Sequence, residues 1–110
     1  MNTRLSVALI GATIGLTALS TAPLALAQDS GAATYKSKCA MCHGADGLGA
    51  TPAGKSMKAI PFNSPELVKA SDADLIAATK NGKGKMPAYS GKLTDPQITE
   101  VITYIRTLQK

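Results

Sequence analysis

The chain contains no tryptophan, a single phenylalanine (Phe62) and a single histidine (His43), and aromatic residues make up only 4% of its 110 positions. A small domain needs large flat apolar surfaces at its centre, and here ring-bearing side chains cannot supply them, so a bound group is the expected substitute. Cysteine is equally scarce, with only Cys39 and Cys42. A bridge between them would close a very short loop and restrict the unfolded chain little. A structural zinc site takes about four ligands, and the chain has no second Cys or His pair to complete one. No stretch alternates apolar and polar residues with a period of two, which excludes a sheet-based architecture and leaves an all-α domain. No internal repeat is present. The formal charge is +5, but basic residues are not interleaved with aromatic ones, which argues against a nucleic-acid surface.

The N-terminus is patterned differently from the rest. Met1 to Arg4 carries the only early charge, and Leu5 to Ala27 carries none and ends in Ala25-Leu26-Ala27. A basic start, an apolar stretch and a small-x-small end mark a secretory signal peptide, expected to be cleaved after Ala27. The uncharged run is also long enough to span a bilayer, so a retained anchor facing the periplasm is the alternative. Pro23 and the scattered Ser and Thr favour cleavage. The remaining domain, 28–110, keeps 11 basic side chains once Arg4 is removed from the 12, against 7 acidic ones, a formal +4.

Export places the two cysteines in an oxidising compartment, where they sit in the sequence CAMCH. A thioredoxin-like C-x-x-C needs a preceding buried strand, and "GAATYKSK" before Cys39 offers none. C-x-x-C-H is the attachment pattern of a c-type haem. On a helical turn, Cys39 and Cys42 project from nearly the same side, so both sulfurs can bond one porphyrin, and His43, one step on, turns towards the iron.

Gly31 to Cys42 reads as a first helix that delivers this motif. "GADGLGATPAG", Gly44 to Gly54, reads as a glycine-rich loop without regular helix, able to pass close to a flat ligand. "GATPAGKS" also fits a phosphate-binding pattern at Gly49, Gly54, Lys55 and Ser56, but no hydrophobic strand leads into it. Ser64, Pro65 and Glu66 open a short helix, with Ser64 as its N-cap. Ser71 caps the next, Asp72 to Asn81, and Gly82 ends it. Thr94 and Gln97 form a capping box. The last helix buries Ile98, Val101, Ile102 and Ile105, at helical spacing.

The segment "NGKGKMPAYSG", Asn81 to Gly91, places a methionine in a polar loop where it has little core to fill. With His43 on one face of the iron and no second histidine, methionine is the next candidate for the other face. Met41 lies inside the attachment motif, on the His43 side. Met57 follows His43 by only fourteen residues, and reads as a pocket-wall residue and second candidate. Met86 follows by 43 residues, enough for the chain to pass round the ring edge. Pro87 and the flanking glycines shape its loop.

With "CAMCHG", "GATPAG", "NGKGKMPAY" and "VITYIRTL" in place, Gly31 to Leu108 resembles the class I c-type cytochromes, the small bacterial monohaem kind. The resemblance implies a fold of four to five short helices around one covalent haem c. It implies a crossing of the first and last helices at Gly31 and Tyr35 against Val101 and Tyr104. It also implies a Pro52 carbonyl accepting the His43 Nδ1–H, which would orient the ring, and a haem contact from Tyr89. The tryptophan that many relatives place near a propionate is absent, and Lys58, Ser56 and Tyr89 are the candidates for that role.

Two axial ligands, His43 and Met86, leave no open position for substrate. The expected function is therefore outer-sphere electron transfer in the periplasm by a monomer that is not an enzyme. An iron left open by Met86, giving a ligand-binding or peroxidase-like protein, is one alternative; an electron-delivering subunit of a larger oxidoreductase is another. Lys80, Lys83, Lys85 and Lys92 flank the Met86 loop and would steer the protein onto acidic patches of redox partners; a merely solubilising face is the other reading of these charges.

Overall fold

The computed structural model describes residues 11, 12, 15 and 23–110, with helical side chains described from residue 30 onward. The expected signal segment, 1–27, lies for the most part outside the described residues. Among the described residues there are six helical segments, in order α1 (Pro23–Lys38), α2 (Ala40–His43), α3 (Pro52–Met57), α4 (Pro65–Lys69), α5 (Asp72–Asn81) and α6 (Asp95–Thr107). Among the described residues there is no strand, only isolated bridges between Lys83 and Met86 and between Ser90 and Leu93. The domain is all-α, as expected. Its helices outnumber the expected four to five because the chain breaks at Cys39 (φ −118°), separating α2 from α1, and because α3 forms. The first helix also starts earlier than Gly31, at Pro23.

α3 corrects the expectation of a loop through Gly54. Thr51 accepts the Gly54 amide at 2.9 Å and Pro52 occupies the first turn, so a cap and a preset φ outweigh the helix-weakening glycine. Gly54 is required by packing: a Cβ there would crowd the Cys42 and Gly49 carbonyl oxygens. Ser64 is a second correction. It precedes α4, but its hydroxyl is buried without a partner and caps nothing. The helix start rests instead on Pro65 and on the Ser64 carbonyl, which accepts the Val68 amide at 3.0 Å.

The other caps form as expected. Ser71 accepts from Asp74 N–H at 3.1 Å. Thr94 accepts from Gln97 N–H at 3.3 Å, while Gln97 Oε1 accepts from Thr94 N–H at 2.9 Å. Helix α6 then buries Ile98, Val101, Ile102 and Ile105, and burying each such side chain contributes about 1.5–3 kcal/mol. It packs on α1 at Gly31, where an added Cβ would run into the Glu100 carbonyl and lie 3.1 Å from Tyr104 Cβ. Tyr35, only 2% exposed, lies beneath this crossing. Its ring sits 5.2 Å from Tyr104 and 6.2 Å from Phe62.

Arg106, in the last turn of α6, ties this helix pair to the α4–α5 corner. Its Nε donates to Asp72 at 2.9 Å, one Nη donates to the Leu67 carbonyl at 3.2 Å and to Gln109 Oε1 at 3.0 Å, and the other donates to the Ala70 carbonyl. Replacing Arg106 by Ala removes the guanidinium donor from the Ala70 carbonyl and leaves the Leu67 carbonyl with only Gln109 Nε2 at 3.3 Å. Urea unfolding should show a loss of about 1–3 kcal/mol.

Candidate haem site

The CAMCH turn is held at both ends by one residue. The Tyr35 carbonyl, one turn before the motif in α1, accepts the Cys39 amide at 2.8 Å. The Tyr35 hydroxyl donates to the carbonyl of Gly44, just past the motif. Between these points the chain winds tightly: His43 N–H donates to the Cys39 carbonyl at 3.0 Å, and Gly44 N–H to the Ala40 carbonyl at 2.8 Å. Gly44 takes φ +79°, a conformation a glycine adopts without Cβ strain.

Cys39 and Cys42 are both half-buried and are not joined to each other. Burial, and behind it the neighbouring Cys42, pushes the Cys39 thiol up to about 11. The His43 ring stacks on Phe62 with centroids 4.6 Å apart and planes at 21°. Burial lowers its pKa, keeping the imidazole neutral, which is the form that ligates a metal. Its Nδ1 is buried without a hydrogen bond, so the expected bond to the Pro52 carbonyl is not formed. Pro52 is the first residue of α3, where a carbonyl serves the helix's own amide four residues on.

Helix α3 is nevertheless pinned beneath the turn. The Thr51 hydroxyl shares its hydrogen between the carbonyls of Met41 at 2.7 Å and Cys42 at 3.0 Å, and Gly54 packs against the same Cys42 carbonyl. Sequence reasoning missed Thr51. The signal was the pair Thr51-Pro52, a cap followed by a first-turn proline.

Met86 lies in a tight turn whose backbone is paired in both directions with Lys83, at 3.0 and 3.2 Å. The turn folds over Gly82, where a Cβ would stand 2.8 Å from the Met86 carbonyl. Met86 is half-buried, whereas Met57 is 48% and Met41 79% exposed. The structure brings the Met86 segment to the attachment turn through Tyr89, whose hydroxyl donates to the Lys38 carbonyl at 2.9 Å. Burial raises the Tyr89 pKa, with Cys39 and Cys42 adding to the effect. Ser56 and Lys58 are exposed at the end of α3.

The lysine rim is smaller than expected. Lys80 is paired with Asp95 at 3.1 Å, so its charge is locally matched. Lys92 lies over the Tyr89 ring, 5.8 Å from its centroid. Lys83 and Lys85 are exposed.

The residues present fit haem c: two cysteines three residues apart on a helical turn, and directly after the second a half-buried imidazole whose ring is held against Phe62. Small residues stand where Cβ atoms would obstruct the turn. In Gly54→Ala the added methyl meets two backbone carbonyls, and circular dichroism melting should show a loss of about 1–3 kcal/mol, with a matching fall in Tm.

Comparison with known proteins gives the same assignment. Residues 26–105 match the family described as cytochrome c oxidase, cbb3-type, subunit III. Cytochrome c6 of Leptolyngbya boryana is 37% identical over 78 residues, covering 69% of this chain and 86% of that protein. The cbb3-type cytochrome c oxidase subunit CcoP of Azospirillum brasilense is 33% identical over 86 residues, 76% of this chain but only 29% of that much longer protein. Among solved structures, the KustC0563 c-type cytochrome superposes with a TM-score of 0.67 at 29% identity, covering 73% of this chain and 98% of that one. Fold, attachment turn and relatives agree, and the chain belongs to the c-type cytochromes, as a small class I protein built for one haem c.

Proposed function

We propose that this protein is an exported carrier that passes single electrons between redox partners, with His43 and Met86 as the two axial ligands of its haem iron. When bound, haem c supplies the chemistry, a one-electron exchange between ferrous and ferric iron. The chain's residues determine how that exchange runs. Cys39 and Cys42 fix the ring covalently to the α1–α2 turn. His43 offers a neutral nitrogen from a ring confined by Phe62. Met86 offers a soft thioether that favours the ferrous state. With His43 and Met86 both holding the iron, no position would be left for a substrate, which would separate a carrier from an oxygen- or peroxide-activating protein.

The observation that carries the assignment of Met86 is its shelter. Of the three methionines in the domain it is the least exposed, and its turn is folded over Gly82. Met86→Ala should lose the long-wavelength thioether-to-iron band of the ferric form, lower the reduction potential and let carbon monoxide bind the ferrous form rapidly. Met57→Ala should change none of these. The converse pattern would move the ligand to Met57.

We place the carrier in the periplasm, on the pattern of residues 1–27. Among the described residues no helix is long and apolar enough to cross a membrane. The likeness to one segment of a CcoP subunit supports a second reading, an electron-delivering module within a larger oxidoreductase, which co-purification with a partner would reveal. In either setting Lys83, Lys85 and Lys92 form the positive edge beside the Met86 turn. Lys83→Glu/Lys85→Glu should slow oxidation by an anionic oxidant by roughly tenfold at low salt, with the difference shrinking as ionic strength rises.

A further inference from the structure

We infer that the Tyr89 hydroxyl is a clasp that holds the Met86 segment against the attachment turn and thereby sets how readily outside ligands displace Met86. The inference rests on the reading of Met86 as an iron ligand. The segment from Gly82 to Leu93 has several anchors, but nearly all are local. Lys83 and Met86 bond each other, and the Tyr89 and Ser90 amides donate to the Thr79 and Lys80 carbonyls at 3.0 and 3.1 Å. These bonds fix the segment to the end of α5, the helix just before it. They do not fix it to the half of the chain that carries Cys39, Cys42 and His43.

Tyr89 does. Its bond to the Lys38 carbonyl spans 51 residues, and among the described residues it is the one side-chain hydrogen bond joining 82–93 to that half. Lys38 is the last residue of α1, where carbonyls lack an intrahelical donor, and it immediately precedes Cys39. The acceptor is thus both in need of a partner and next to the base of the covalent tether. Met86 stands three residues before Tyr89, with Pro87 stiffening the link, so displacement of the clasp carries Met86 with it. Lys92 over the ring helps hold the side chain in place. Tyr89 is therefore a positioning residue acting through Met86, and its hydroxyl is already engaged by protein rather than reserved for a haem propionate.

A ligand that binds only after Met86 departs has an apparent affinity proportional to the open fraction. Tyr89→Phe keeps the ring and removes the hydroxyl. In the ferric, haem-loaded protein it should leave the thioether band present, tighten cyanide binding roughly fivefold, the equivalent of about 1 kcal/mol, and speed hydrogen exchange of the Met86 amide by a similar factor. Arg106→Gln, which loosens the remote α6 corner, should lower Tm yet bind cyanide within about twofold of wild type. Wild-type behaviour of Tyr89→Phe in both cyanide binding and amide exchange would overturn the clasp alone. So would an equal gain in Arg106→Gln, since general destabilisation would then explain the effect. A wild-type protein without the thioether band would overturn the Met86 assignment and the clasp with it.

Discussion

Tyr35 grips the CAMCH turn from both sides, its carbonyl accepting the Cys39 amide and its hydroxyl donating to the Gly44 carbonyl, while its ring is sealed beneath the α1–α6 crossing. Attachment geometry and global packing are therefore one constraint. The crossing can close only because Gly31 lets the helices meet at the Glu100 carbonyl. Once it closes, the position of Tyr35 dictates where both sulfurs and the imidazole lie. Thr51 and Gly54 brace the same turn from below. The attachment residues thus stand on a turn braced by hydrogen bonds and close packing on both sides, which suits electron transfer, where charge changes and shape need not.

The scarcity of aromatic residues takes on meaning in this setting. Among the described residues, Phe62 and Tyr35 are the only aromatic residues in the buried core, which is otherwise aliphatic and supplied by α6 together with Leu93. Both rings lie on the attachment side, Phe62 against His43 and Tyr35 against Phe62. A domain of this size gains little from its own core, and a covalently bound porphyrin, which cannot dissociate, adds the apolar surface its sequence omits. The Met86 segment, by contrast, is a polar, lysine-rich turn held largely by local backbone bonds, the kind of locally anchored segment that opens most easily.

Much of this was legible in the residues. The attachment motif has one chemical reading in a chain with a single histidine. The capping box at Thr94 and the spacing of Ile98, Val101, Ile102 and Ile105 gave α6 together with its buried face. Three features were not legible. Helix α3 was hidden because Gly54 reads as a helix breaker, and only the carbonyls it approaches reveal why a glycine stands in a helix. Ser64 has the identity of a cap but not the geometry, because a serine at a helix start can turn its hydroxyl elsewhere. The Arg106 and Tyr89 bonds join residues 34 to 51 positions apart, and no local pattern encodes such a pairing. The lysine rim was overestimated for the same reason, since the partner of Lys80 is Asp95, at the start of α6.

Intact mass spectrometry of the exported protein under denaturing conditions tests the covalent tether most directly. The expected result is one species with the mass of residues 28–110 plus a single haem, retained after acid extraction, with neither cysteine available to a thiol-alkylating reagent. A polypeptide of unmodified mass, with Cys39 and Cys42 alkylated or joined to each other, would contradict it.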